Sequence, residues 1–346
     1  MPGGVAPPPG PPDEDAEAER SGGSRGKAAV RAVLVPALIA VVVGTAFVAV
    51  FLAAFSDPRP HDLAVGVAGP PEQVQQVRDG LERDRPGALR VVPLAGGPEA
   101  AEAVRRNDVY GALVLGGRAP QLLVAGAHGQ GVTQTLTQAF GPVAQQAGAQ
   151  LEVQDLVPLA AGDTRGLAIF YASFGVVLGG FLFGIQTYQA APQLGLAKRI
   201  ASALLFASVS GVAVALLADV AFGSVPAGFL AVGGLVALLA LSIASTAALV
   251  LRLIGSAGTF VTSVGLLILG NATSTGNLPA EYLPGWLQPL AGILPPGVAV
   301  RALRGVTYFE GDGVARAYAV LGLWCVVPAL LIVLVDAVAR RRARTA

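Results

Sequence analysis

The sequence predicts an α-helical integral membrane protein with six transmembrane helices and an extracytoplasmic α/β domain inserted between helices 1 and 2. Three observations predict this fold class. Hydrophobic residues make up 53% of the 346 residues and charged residues only 13%, a composition unlike that of a water-soluble globule. Six apolar runs are long enough to cross a bilayer, and charged residues return in one block, residues 56–166. The net charge of +1 gives no support for nucleic-acid binding.

The first 30 residues are rich in proline, glycine and acidic residues, so residues 1–30 are predicted to be a disordered cytoplasmic tail. The first transmembrane helix is predicted at residues 31–55, because the run from Val33 to Phe55 can cross a hydrocarbon core of about 30 Å. A secretory signal peptide is the alternative. An uncleaved anchor is favoured, since the run exceeds the usual apolar length of about 7–15 residues and no clear Ala-x-Ala site follows.

In residues 56–166, short apolar runs alternate with stretches of helical period, which predicts a mixed α/β domain large enough to bury its own core. Strands are predicted at 62–69, 88–96, 109–117, 121–129 and 151–159, and helices at 71–84, 98–108 and 131–148. The two histidines, His61 and His128, lie in polar or glycine-flanked surroundings without metal-ligand spacing. Both are predicted to be solvated loop residues.

Residues 167–340 are predicted to form a five-helix membrane domain. Its apolar runs lie at 167–188, 200–218, 227–250, 254–271 and 315–337. The segment 272–314 is too proline-rich for one straight helix yet apolar, which predicts a re-entrant or interfacial segment.

The distribution of lysine and arginine among the short connections predicts the orientation. By the positive-inside rule, both termini are cytoplasmic, with residues 341–346 as a basic cytoplasmic tail, and residues 56–166 are extracytoplasmic. Frequent alanine, glycine, valine and arginine are typical of a GC-rich bacterial genome, so we expect a bacterial plasma-membrane protein in contact with membrane lipid.

Two features within the predicted spans have structural interpretations. Asp336 lies four residues before Arg340 and is predicted to pair with it on the helix surface. Small-xxx-small patterns predict close helix packing, with a substrate-facing groove as the alternative; they are formed by Gly175, Gly179, Gly180 and Gly184.

No catalytic or nucleotide-binding motif occurs in the chain. There is no GxxxxGK[ST] loop, no HExxH and no nucleophile elbow, so no enzymatic activity, cofactor or metal is expected and any ATP must be bound by another subunit. The single cysteine, Cys325, excludes an intrachain disulfide.

The most specific signal lies in residues 265–310. An apolar run ends at Asn-Ala-Thr-Ser-Thr-Gly and is followed by LPAEYLPGW, ILPPG and a short helix with Arg301 and Arg304. This pattern, with the order of the spans, resembles the membrane domain of type-2 ATP-binding-cassette exporter permeases, in the YhgE/Pip- and DUF3533-like actinobacterial branch. The residues matching that family's outer hairpin are Asn271, Ser274, Gly276, Pro279, Leu283, Pro284, Pro295, Pro296, Arg301 and Tyr308.

The resemblance implies a permease subunit of an ATP-driven exporter of lipid-like, glycan or hydrophobic small molecules. It implies a homodimer, or a heterodimer with a related permease, and a separate ATP-binding subunit that docks on cytoplasmic features. Lys198 and Arg199 are the candidates for coupling to that ATPase, although they also satisfy the insertion rule alone. The alternative function is a non-transporting cell-envelope surface protein, a phage-infection-protein-like receptor or an assembly scaffold.

Overall fold

The computed structural model describes residues 14–191, 193–276 and 278–345, and the chain divides into two compact units with the boundary between Ala46 and Phe47. Helix α1 runs over Glu14–Phe55. Residues 14–30, predicted to be disordered, are therefore helical, and their sequence is rich in the strong helix formers alanine and glutamate. Residues 1–13, the rest of the predicted tail, lie outside the described residues.

Residues 63–155, called the sheet region here, form a five-stranded sheet. All five strands and all three helices lie within the ranges predicted for them or within one residue of those ranges. They are β1 (Leu63–Ala68), α2 (Pro71–Asp84), β2 (Leu89–Leu94), α3 (Gly97–Arg105), β3 (Gly111–Val114), β4 (Gln121–Val124), α4 (Gln130–Gln146) and β5 (Glu152–Asp155).

The strand order is β2-β1-β3-β4-β5, with β3 and β4 antiparallel and the other neighbours parallel. Strand β1 is buried along its whole length because helices cover both faces of the sheet. Its alternate residues point to opposite faces. Leu63 and Val65 pack with α2 and α4, whereas Ala64 and Ala68 pack with α3.

The buried core of the sheet region comes mostly from its own residues, with one ring from outside the region on each face of the sheet. Tyr282 completes the cluster between the sheet and helices α2 and α4, and Phe309 completes the cluster on the α3 side. Both rings come from the proline-rich segment 272–314, which precedes the last membrane helix, and they are 4% and 2% exposed. The sheet region and that segment therefore share their hydrophobic cores.

Among the described residues, five helices are long and apolar enough to cross a membrane: Ala32–Phe55, Ala168–Ala190, Leu196–Ala221, Phe229–Ile254 and Val314–Arg342. The last four belong to α5 (Ala168–Ala190), α6 (Leu196–Ala215, extended by a π-helical turn, Leu216–Ala221), α7 (Phe229–Ile254) and α12 (Val314–Thr345). Helix α7 is the most buried of them and packs against α5, α6 and α12. Large apolar side chains of α6 and α12 remain exposed, as expected of surfaces in contact with lipid.

The predicted run 254–271 forms a shorter helix, Ala257–Thr273. It consists of α8 (Ala257–Thr262), a π-helical segment (Ser263–Leu269) and α9 (Gly270–Thr273). At about 1.5 Å per residue it is about 25 Å long, less than the hydrocarbon core of about 30 Å. Gly255, with φ +63°, ends α7 just before this helix, and Thr275 and Gly276, with φ +68° and +57°, adopt the left-handed conformation just after it.

The proline-rich segment that follows is not one straight helix. It contains a 3-10 turn (Ala280–Tyr282), α10 (Gln288–Ala291) and α11 (Pro295–Tyr308). Pro295 and Pro296 occupy the first turn of α11, where backbone N–H groups have no helical partner and proline is tolerated.

The four predicted packing glycines differ in what they touch. A Cβ built on Gly180 would lie 3.0 Å from Cβ of Ile243, and one on Gly184 2.6 Å from Cβ of Ala247, so these two lie where α5 meets α7. A Cβ built on Gly179 would lie 3.7 Å from the Phe206 ring of α6, whereas one built on Gly175 would have nothing within 4 Å.

The ion pair of Asp336 is with Arg252 of α7, at 2.8 Å, and not with Arg340 as predicted. Because the two residues lie on different helices, the pair joins α7 to α12 and does not act along one helix surface.

Candidate functional site

The structure contains two candidate sites. The first, called the arginine cavity, has a volume of about 110 Å³ and lies between the sheet region and the segment that follows the short helix. Its polar lining residues are Asn107, Tyr110, His128, Thr273, Ser274, Thr275, Glu281, Arg301, Arg304 and Arg316.

Close backbone approaches bring these elements together. Gly305 of α11 lies against the backbone of Asp312, and an added Cβ would overlap the carbonyl oxygen of Asp312. Arg301 and Arg304 lie three residues apart on α11 and thus point to the same side of that helix. The left-handed turn at Gly276 presents its carbonyl oxygen to Nη2 of Arg304 at 2.8 Å.

The three arginines have different partners. Nη2 of Arg301 lies 3.2 Å from Oδ2 of Asp312, which also accepts from Nδ2 of Asn107 at 2.7 Å. Nη2 of Arg316 donates to the carbonyl oxygen of Gly292 at 3.0 Å. Arg304 has no carboxylate within 4.0 Å among the described residues, and burial lowers the pKa of its guanidinium.

His128 was wrongly predicted to be a solvated loop residue. It is 2% exposed, and its ring stacks on Phe309 at 4.6 Å and meets Tyr110 edge-on at 4.6 Å. Burial, with a smaller contribution from nearby Arg304, lowers the pKa of His128 to about 3, so the ring is neutral at physiological pH. Its Nε2 atom has no hydrogen-bond partner in the described part of the chain. The other histidine, His61, is exposed, as predicted.

Glu281 supplies the acidic side of the arginine cavity. Its Oε2 accepts a hydrogen bond from Tyr110 Oη at 2.8 Å. Burial, and then the Glu281 carboxylate, raise the pKa of Tyr110, so the phenol stays protonated and acts as a donor.

The structure brings some of the family-motif residues into the cavity wall and places others behind it. Ser274, Pro279 and Arg301 line the cavity. Asn271 is fully buried behind it, where Nδ2 donates to the carbonyl oxygen of Leu267 at 2.8 Å. The supporting positions are Leu283 in a buried apolar cluster, Pro284 at the turn before α10, Pro295 and Pro296 at the start of α11, and Tyr308, whose Oη accepts from the Ala160 N–H at 3.2 Å.

The second candidate site, called the crevice, lies between α5, α6, α7 and α12. Its narrow part is mostly apolar and is lined by Phe183, Gly184, Thr187, Leu196, Arg199, Ile200, Ala203, Ala244, Ser245, Ala248, Ala329 and Ile332. It adjoins a wider part of about 540 Å³ that shares Leu196, Arg199, Ala248 and Ile332 and adds the charged residues Arg252, Asp336 and Arg340. An apolar slot thus leads to a mouth in which three arginines face one carboxylate.

The two candidate coupling residues occupy different environments. Lys198 is exposed, whereas Arg199 is partly buried, lines the crevice and donates from Nη2 to the carbonyl oxygen of Ala191 at 3.1 Å. The structure therefore does not present them as one cationic patch.

The described residues contain no group of three or more histidine, cysteine, aspartate or glutamate side chains arranged to hold a metal ion. In comparisons with known proteins, no family model, curated protein or solved structure matches the chain.

Sequence reasoning found Arg301 and Arg304 but missed Tyr110, His128 and Glu281. One signal was available in principle. Antiparallel β3 and β4 place Gly111 opposite Val124, so the residues just before β3 and just after β4 lie at the same edge of the sheet. A prediction of that pairing would have placed Tyr110 next to the turn that contains His128.

Proposed function

We propose that the chain is the membrane-spanning permease subunit of an ATP-driven exporter, and that its cargo is an amphiphile with an acyl chain and an anionic headgroup. The observation that carries this proposal is the crevice, in which an apolar slot adjoins an arginine-lined mouth. The proposal includes cytoplasmic termini, an extracytoplasmic sheet region, and a sixth passage formed by the short helix Ala257–Thr273.

The lining of the crevice supports a cargo of this chemistry. Its slot presents aliphatic and small side chains, which favour burial of a hydrocarbon chain at roughly 0.8 kcal/mol per CH₂ group. Its mouth holds Arg199, Arg252 and Arg340 against Asp336, so the side chains that line it carry a net positive charge. Basic pockets between transmembrane helices on the cytoplasmic side favour anionic lipid headgroups.

Lys198 marks the surface on which we propose that the ATP-binding subunit docks. No phosphate-binding loop occurs in the sequence, so hydrolysis requires a second polypeptide. Lys198 is exposed at the start of α6, beside the mouth residue Arg199, where a docked subunit would move the helix that forms one wall of the slot. Closure of two such subunits would move cargo only if the two states of the permease bind it with different affinity.

The test begins with the chain and its partners purified from native membranes. Mass spectrometry of the copurified proteins identifies any ATP-binding subunit. The complex is then reconstituted in vesicles of phosphatidylglycerol and phosphatidylcholine that contain a fluorescent phosphatidylglycerol. ATP-dependent movement of the fluorescent lipid between leaflets is measured by its accessibility to an external quencher.

Two alanines of α6 provide a matched pair of variants. Ala203 lines the slot, whereas Ala201 is exposed two residues earlier. We expect Ala203→Phe to fill the slot and reduce lipid movement to background, while Ala201→Phe keeps the wild-type rate. Absence of an ATP-binding subunit, together with equal lipid movement with and without ATP, would contradict the proposal and favour the surface-protein alternative.

A further inference from the structure

We infer that the arginine cavity is a binding site for a phosphate-type oxyanion. This inference concerns a site separate from the crevice and does not depend on transport. It rests on a cavity lined by three guanidinium groups and on a buried, unpartnered imidazole nitrogen in its wall.

The charge balance of the cavity favours an anion. Arg301, Arg304 and Arg316 line it, and Glu281 is the one carboxylate among its lining residues. Asp312 lies beside Arg301 and offsets it, so one positive charge remains after both acids are counted. A third carboxylate, Asp163, also acts on Arg304, but from more than 4.0 Å and from outside the cavity lining; its oxygens accept from the backbone N–H groups of Leu167 and Ala168 at the start of α5.

Arg304 is the centre of the argument. Its one hydrogen-bond acceptor among the described residues is the carbonyl oxygen of Gly276, although a guanidinium has five N–H donors. Arg304 is partly buried, and charges withdrawn from water in proteins are normally paired with a counter-charge. A bound oxyanion would supply that counter-charge and accept several N–H groups at once, which is the geometry that guanidinium groups favour.

His128 gives an independent indication. Its Nε2 is buried and unpartnered among the described residues, although buried polar atoms are normally hydrogen-bonded. The stacked ring of Phe309 and the edge contact with Tyr110 fix the orientation of the imidazole. Because the imidazole lies in the cavity wall, an anion bound in the cavity would change its surroundings.

The size of the cavity agrees with a small ligand group. About 110 Å³ is several times the roughly 10–15 Å³ that one water needs on the same measure, so the space accommodates a phosphate group. Two sources share this chemistry: free inorganic phosphate, and the phosphodiester of a lipid headgroup at the bilayer surface. The experiment below distinguishes them.

Two histidines in the full chain make nuclear magnetic resonance a direct assay. The full-length protein is labelled with ¹⁵N-histidine and placed in phosphatidylcholine nanodiscs, in nanodiscs that contain phosphatidylglycerol, or in detergent with inorganic phosphate. We expect the His128 ring signals to shift with phosphate, with phosphatidylglycerol, or with both. A shift with phosphate assigns the free anion, and a shift with phosphatidylglycerol alone assigns the headgroup.

Arginine variants test the same site. Arg316 is exposed, so Arg316→Gln is expected to fold and to weaken binding of the anion at least about tenfold, the effect of losing one charge-assisted hydrogen bond. Arg118→Gln, in the exposed turn between β3 and β4, removes the same charge elsewhere and should leave binding unchanged. Arg304→Gln should abolish binding, with unchanged circular dichroism showing that the variant is folded.

Constant His128 signals under all three conditions would overturn the inference, as would equal weakening by Arg316→Gln and Arg118→Gln. The first result would mean that water satisfies the imidazole. The second would mean that the anion responds only to the overall charge of the protein. Neither result bears on lipid movement through the crevice, so this inference and the proposed function fail separately.

Discussion

Substitution of Gly184 by alanine should loosen the contact between α5 and α7. The added Cβ would lie 2.6 Å from Cβ of Ala247, whereas carbon atoms pack best at about 3.5–4.0 Å. The two helices must therefore separate by about 1 Å at this point, because neither Cβ is at the end of a flexible side chain. Overpacking of a tight core of this kind lowers the free energy of unfolding by about 1–3 kcal/mol.

The same helix supplies a matched control. Gly175 belongs to the same small-residue pattern but has nothing within 4 Å, so Gly175→Ala should be neutral or stabilise the helix by up to about 1 kcal/mol. The free energy of unfolding is measured in mixed micelles by titration with sodium dodecyl sulfate and far-ultraviolet circular dichroism.

A compensating substitution makes this prediction refutable. Ala247→Gly removes the atom that Gly184→Ala would meet, so the double variant should recover most of the loss, with a coupling energy on the order of 1 kcal/mol. Equal losses from Gly184→Ala and Gly175→Ala, or a double variant no more stable than the sum of its single changes, would show that this contact does not limit helix packing.

Three further predictions concern other parts of the chain. The folded-state pKa of His128 is lowered to about 3, so below about pH 6.5 the unfolded state binds a proton that the folded state does not. The free energy of unfolding should therefore fall by up to about 1.4 kcal/mol per pH unit as the pH drops below about 6.5. His128→Phe should remove this dependence, which is measured by chemical denaturation at several pH values. Lys198→Glu should reduce ATP hydrolysis by the reconstituted complex without changing membrane insertion, whereas Arg118→Glu should not reduce it. Gly305→Ala should lower the melting temperature in detergent, because its Cβ meets the backbone of Asp312, whereas Gly322→Ala, with nothing within 4 Å, should not.

Local pattern predicted the elements of the sheet region well, because alternation and helical period are recorded in consecutive residues. Strand β1 and helix α2 lie where the sequence places them. The strand order depends on contacts between distant residues, and no local pattern records them. The same reason explains the error at His128, whose burial depends on Phe309, which follows it by 181 positions in the numbering.

The sequence also predicted the membrane helices better than it predicted their ends and their contacts. Their apolar composition predicted where they lie, but the helix predicted at 254–271 begins later, at Ala257, because α7 ends at Gly255, and it continues to Thr273. Spacing alone also gave Gly175 and Gly184 the same role, although only Gly184 has a partner helix at close range. For Asp336, proximity along the chain suggested Arg340, whereas the packing of α12 on α7 supplied Arg252.

The rings of Tyr282 and Phe309 pack into the sheet region and thereby join it to α11 and to the 3-10 turn before α10. A tilt of α11 is therefore expected to move the strands with it. A fragment excised at residues 56 and 166 would be left with two hollows where the rings belong, and screens for its binding partners should therefore use the intact chain.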